Sequence, residues 1–128
     1  MSRGGARKEW LMAVRRRTDA SRVAQMRRYI AQNCTRNIRL KDISARFRIS
    51  PGHVCRIFKE QLGVSFTKCL NADRIKEAKR LLKQTKCPAY VVAQKVGFRN
   101  RDYFFKVFKR IEGSTPDRYR YAAREKRA

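Results

Sequence analysis

One histidine and ten acidic residues are all that 128 positions hold of those types, and each scarcity closes a route. With His53 alone, no paired carboxylates and no glycine-rich phosphate loop, no catalytic constellation can be assembled, and the chain is expected not to be an enzyme. Four cysteines, Cys34, Cys55, Cys69 and Cys87, include no Cys-x-x-Cys pair. His53 and Cys55 stand two apart, a spacing that on a helix aims the side chains in different directions and clasps no ion. Neither a metal nor another cofactor is expected, and the thiols read as reduced ones in a reducing compartment. Near the N-terminus the longest apolar run, Trp10 to Val14, is five residues. A secretory core needs at least about 7 and a membrane span about 20. The expectation is a soluble, cytoplasmic protein with no membrane partner.

What the chain does have is cations. Thirty-four Lys and Arg face the ten acids, for a net charge of +24. Such an excess calls for a polyanion: DNA, RNA or an anionic surface. Hydrophobic residues still make up 42%, enough to bury a core, so the charge does not imply overall disorder. The length fits one domain or two small subdomains.

The apolar spacing is helical throughout, with no alternating strand pattern. Residues 1–18, with Gly4-Gly5 and Arg15-Arg16-Arg17, read as a flexible basic arm, either without structure or partly helical around Trp10. From residue 19, Val23, Met26, Ile30 and Cys34 form one helical face. Leu40, Ile43 and Phe47 predict a short helix, and Ser50-Pro51 starts the next by capping its first turn. That helix buries Val54, Ile57, Phe58 and Leu62 and stops at Gly63. An uninterrupted helix over 66–83 follows. Pro88 then opens a second short helix to Val96, with Gly97 at the turn. Asn100 caps a helix burying Phe104, Val107, Phe108 and Ile111, which Gly113 ends. Ser114-Thr115-Pro116 begins a last helix over 116–123.

The pattern repeats. Arg56-Ile57-Phe58-Lys59-Glu60-Gln61-Leu62-Gly63 returns as Lys106-Val107-Phe108-Lys109-Arg110-Ile111-Glu112-Gly113, and Ile43, Phe47 and Ile49 correspond to Val92, Val96 and Phe98. The fold class is therefore all-α, about seven helices, with helix-turn-helix units over 40–63 and 88–113 joined by a long linker helix inside a domain spanning 19–124. A linker of about 17 residues is roughly 25 Å long, which predicts two recognition helices about 34 Å apart, one turn of duplex.

In such units the second helix enters the major groove. Burying one face of Pro51–Leu62 turns Gly52, Cys55, Arg56 and Lys59 outward, and the same argument turns out Arg101, Asp102, Phe105, Lys106 and Lys109. Arg56 is the best base reader of the first unit, since a guanidinium fork matches guanine O6 and N7. Arg101 and Lys106 are its counterparts, and Arg99 joins them as a DNA contact. His53 either contacts the DNA backbone or is partly buried at the helix start. Cys55 touches a base or fills space. Phe105 meets a thymine methyl group or sits in a side pocket. Asp102 suits a helix N-terminus and can accept from cytosine N4.

Val96-Gly97-Phe98, Tyr103-Phe104, Phe108-Lys109, Gly113, Pro116 and Tyr119-Arg120 together resemble the C-terminal signature of the AraC/XylS family of bacterial transcription regulators. Ser50-Pro51, Phe58-Lys59 and Gly63 match its first unit, and Arg74-Ile75, Ala78 and Leu81-Leu82 its connecting helix. The likeness covers about residues 22–122 and implies two helix-turn-helix units that bind double-stranded promoter DNA and touch RNA polymerase. It implies base reading by Gly52, Cys55 and Arg56 in one unit and by Arg101, Asp102, Phe105 and Lys106 in the other. Three positions depart from the family: Arg48 for a usual turn glycine, Cys69 for tyrosine, and Phe105 for a small polar residue. The first unit is thus expected to be the weaker reader. No ligand-binding or receiver domain fits in this length. Either abundance regulates the protein, or the chain is the DNA-binding end of something longer. The full expectation is a monomeric transcription regulator acting on the nucleoid, with activation and repression both open; an RNA-binding or ribosome-associated basic protein is the competing reading.

Overall fold

Seven helices and no strand occur among the described residues, 3–127, of the computed structural model. They are α1 (Arg3–Asn33), α2 (Leu40–Phe47), α3 (Pro51–Leu62), α4 (Phe66–Gln84), α5 (Ala89–Lys95), α6 (Arg101–Glu112) and α7 (Pro116–Arg127). The chain divides into two units, Met1–Tyr29 with Arg39–Phe66, and Ile30–Ile38 with Thr67–Ala128. No helix among the described residues is long and apolar enough to cross a membrane.

In the first unit, Val23 and Met26 of α1 are buried, as are Ile43 of α2, Val54, Ile57 and Phe58 of α3, and Phe66. Phe58 and Phe66 meet edge to face at 6.1 Å, and Tyr29 meets Phe47 the same way at 6.5 Å. Between α2 and α3 the backbone turns at Arg48, in the left-handed region at φ 56, and its N–H donates to the Ser44 carbonyl. The Ser44 hydroxyl donates to the Ile49 carbonyl in the same turn.

The second unit packs Ile75, Ala78 and Leu82 of α4 against Val92, Ala93 and Val96 on the α5 side and Phe104, Val107 and Phe108 of α6. Arg74, only 8% exposed, donates from Nε to the Cys34 carbonyl at 2.7 Å and from a terminal nitrogen to Arg36 O at 3.0 Å. Gly97 sits directly against this contact at φ 102, where a Cβ would stand 3.0 Å from Arg74 Nε and from the Cys34 and Thr35 carbonyls. Arg120 of α7 likewise donates to the Leu82 carbonyl at 3.0 Å, and also to that of Cys87.

Three expectations need correction. The segment read as a flexible arm is helical from Arg3 onward and continuous with the rest of α1. Beyond Gly5 no glycine or proline interrupts it, and Arg, Lys, Glu, Leu, Met and Ala are good helix formers; Met1 and Ser2 lie outside the described residues. Ile111, expected inside, is 45% exposed, because it falls in the last turn of α6, past the edge of the core. Leu62, expected inside at the end of α3, is only partly buried.

Candidate nucleic-acid interface

Each unit places one short, amphipathic helix with an apolar inner face and a polar outer one. At α3, the Ser50 hydroxyl accepts from the His53 N–H at 3.1 Å and Pro51 occupies the first turn. Val54, Ile57 and Phe58 turn inward, leaving Gly52, Cys55, Arg56 and Lys59 exposed. Arg56 Nε lies 4.0 Å from Glu60 Oε1, one turn along the same face. Such an exposed pair contributes at most about 1 kcal/mol and gives way readily to a stronger anion.

His53 does not share that open face. It is half-buried, with Nε2 lying 3.9 Å from Oδ1 of Asp19 on α1, which is itself only 3% exposed. Nε2 is buried without a hydrogen bond among the described residues.

The second unit builds α6 in the same way. The Asn100 side chain accepts from the Tyr103 N–H at 2.9 Å, and Phe104, Val107 and Phe108 are buried. Arg99, Arg101, Asp102, Lys106 and Lys109 are exposed. Asp102 in the first turn complements the helix dipole. Phe105 departs from the expected outward set. It is half-buried, its ring 5.7 Å from that of Phe104 and packed on the core.

Two contacts that sequence reasoning missed fix α6 on α4. Asn71 Nδ2 donates to the Tyr103 hydroxyl at 2.9 Å near the start of α6, and Lys79 pairs with Glu112 at 3.0 Å near its end. Both ends of the helix are therefore tied, so its exposed cations are carried on a braced support. A polar tyrosine followed by the phenylalanine stripe hinted at the first contact, but nothing in the spacing named Asn71. A cavity of about 260 Å³ beside the start of α6 is lined by Tyr90, Gln94, Phe98, Arg99 and Arg101. Tyr90 and Gln94 were not singled out, since a seven-residue helix gives little periodicity to read.

Burial pushes the Cys34 thiol up from its ordinary pKa, aided by the charges of Asp73 and Glu77. Hydrogen bonding by Thr85 and Lys95 pulls Cys87 down, with Lys95 Nζ 3.5 Å from Sγ. Cys55 is exposed on the open face of α3. Among the described residues no three His, Cys, Asp or Glu side chains gather where they would hold a metal ion.

This arrangement has known counterparts. A family profile described as a helix-turn-helix domain matches residues 43–122. The arabinose operon regulatory protein of Escherichia coli (strain K12) is 32% identical over 107 residues, covering 83% of this chain and 37% of that protein. Among solved structures, the C-terminal domain of AraT, a response regulator from Geobacillus stearothermophilus, superposes with a TM-score of 0.74 at 30% identity, covering 79% of this chain and 84% of that one. The DNA-binding domain of AdpA, a global transcriptional factor solved in complex with a target DNA, gives a TM-score of 0.74 at 28% identity, covering 85% and 95%. The chain spans about a third of the length of the arabinose regulator and of similar curated relatives, and less than half of others.

Proposed function

Because the chain belongs to the AraC/XylS family of helix-turn-helix proteins, we propose that it binds promoter DNA sequence-specifically and regulates transcription, with α3 and α6 each reading one major-groove segment. The observation that carries this is the repeat itself. Two capped helices, α3 and α6, bury equivalent apolar faces and expose cations at equivalent positions, Arg56 with Lys106 and Lys59 with Lys109. Residues early in such helices meet base edges, and later ones meet phosphates. Arg56, Arg101 and Lys106 are assigned to bases, with Gly52 and Cys55 close enough in position to line the same groove. Lys59, Lys109 and Arg99 are assigned to phosphates. Asp102 combines support of the helix start with acceptance from cytosine.

The reading extends to a non-enzymatic monomer on the nucleoid in the cytoplasm that touches RNA polymerase. Its support is the family likeness. The test is selection of bound duplexes from a random pool, followed by titration of a selected duplex, a random duplex and a structured RNA at one salt concentration. The selected duplex should bind tighter than the random one by about 10³-fold or more, and its length shows whether both units engage. Equal affinity for all three would overturn the proposal.

A further inference from the structure

The inward stripe of α1 changes character along its length. Asp19, Val23, Met26 and Ile30 are buried on one face. Continued toward the N-terminus at spacings of three and four, that same face carries Met12, Arg15 and Arg16. A helix face laid against a neighbour ordinarily continues apolar. Here it turns cationic where it reaches α3.

Met12, Arg15, Arg16 and Asp19 form one wall of an open groove of about 600 Å³, and Arg56, Glu60 and Gln61 of α3 form the other. Three guanidinium-bearing residues thus line it against two carboxylates. Both carboxylates lie near other groups, Asp19 near His53 at 3.9 Å and Glu60 near Arg56 at 4.0 Å. Among the described residues neither Arg15 nor Arg16 makes an ion pair. Around α3, Arg56 borders both this groove and the open face that carries Cys55 and Lys59. The groove therefore opens alongside the face assigned to DNA.

We propose that the α1–α3 groove seats the sugar-phosphate backbone of the same DNA duplex, with Arg15 and Arg16 as phosphate donors flanking the first helix-turn-helix unit. This rests on the DNA-binding reading above and adds to it an element lying outside the matched stretch 43–122. Arginine forks pair bidentately with phosphate oxygens, and a backbone seated between the helices relieves the repulsion among the three cations. It also gives the first unit a grip independent of base reading, at the unit whose turn carries the strained Arg48.

The test is titration of the full chain and its Arg15→Ala/Arg16→Ala variant against a selected and a random duplex across a salt series. Alanine keeps the helix, so folding is preserved. Each lost phosphate contact flattens the slope of log affinity against log salt by about 0.9. The variant should show a slope shallower by roughly 1–2, equal proportional losses on both duplexes, and an unchanged preferred sequence. Arg15→Lys/Arg16→Lys should restore the slope. An unaltered slope in the alanine variant, with the parent still discriminating between duplexes, overturns the groove and leaves the DNA reading standing. A parent that does not discriminate sinks the DNA reading itself.

Discussion

Arg74 of α4 holds the end of α1 by its backbone, reaching the Cys34 carbonyl at 2.7 Å while its guanidinium lies 5.4 Å from the centre of the Phe98 ring. The charge is desolvated there, and burial lowers its pKa. It is nevertheless satisfied by two carbonyls and an aromatic face. Arg74→Met should therefore take the donor from the buried Cys34 carbonyl, costing about 1–3 kcal/mol, while the exposed Arg36 carbonyl keeps the Ile38 N–H at 2.9 Å. Lysine should not rescue it, because one ammonium cannot reproduce the planar fork. Urea unfolding would show the loss as a lower midpoint at constant slope; an unchanged midpoint would mean that water satisfies the Cys34 carbonyl equally well.

Arg48 offers a gain instead. Its φ of 56 and ψ of 41 are left-handed, a conformation that costs a residue with a Cβ about 1–2 kcal/mol and costs glycine almost nothing. The residue is exposed, so little packing is lost on replacement. Arg48→Gly should raise stability by about 0.5–1 kcal/mol after glycine's larger unfolded-state entropy is subtracted. A lower unfolding midpoint in the variant would show that the side chain contributes something the turn geometry does not reveal.

The two sets of exposed cations should separate by behaviour. Arg101→Ala or Lys106→Ala should weaken a selected duplex by about 1–3 kcal/mol more than a random one, as expected of lost base contacts. Lys109→Ala should weaken both alike and flatten the salt slope by about 0.9. If Arg101→Ala lost affinity uniformly across sequences, it would move to the phosphate set.

Phe105 tests packing against reading. Its ring is half-buried on Phe104, so Phe105→Ala should lower stability by about 1–3 kcal/mol, less than a fully buried phenylalanine. Preference at any thymine in the selected site should be unchanged. A lost preference with intact stability would restore the methyl contact.

How far the sequence could be read depended on whether a feature was local. Ser50-Pro51, Asn100, Gly63 and Gly113 are short-range signals, and each cap or left-handed stop lies where its residue type places it. The apolar stripes of α3 and α6 are equally local, and only their last members strayed, Leu62 in part and Ile111 more fully, because periodicity does not say where a core ends. Long-range facts were less accessible. Gly97 was legible as a turn, but the clash that excludes a Cβ comes from Arg74 and Cys34, distant in sequence. Phe105 sat at an outward position by helical phase, yet a ring of that size reaches round to Phe104. Arg15 and Arg16 looked like part of a loose basic arm until α1 carried them to the flank of α3.

Cys87 and Cys34 should differ in reactivity. Cys87 is partly exposed, and Thr85 and Lys95 favour its thiolate, which lowers its pKa. Cys34 is buried, and its pKa is raised chiefly by desolvation. The nucleophile is the thiolate, so a lowered pKa brings the rise in rate to lower pH and a raised one defers it. Iodoacetamide at neutral pH should therefore modify Cys87 well before Cys34. Its rate should rise with pH at a midpoint below that of an ordinary thiol, and Lys95→Gln should move that midpoint upward. Peptide mass mapping over a time course reads the order directly, and earlier labelling of Cys34 would mean that local opening, rather than thiolate fraction, governs access in this unit.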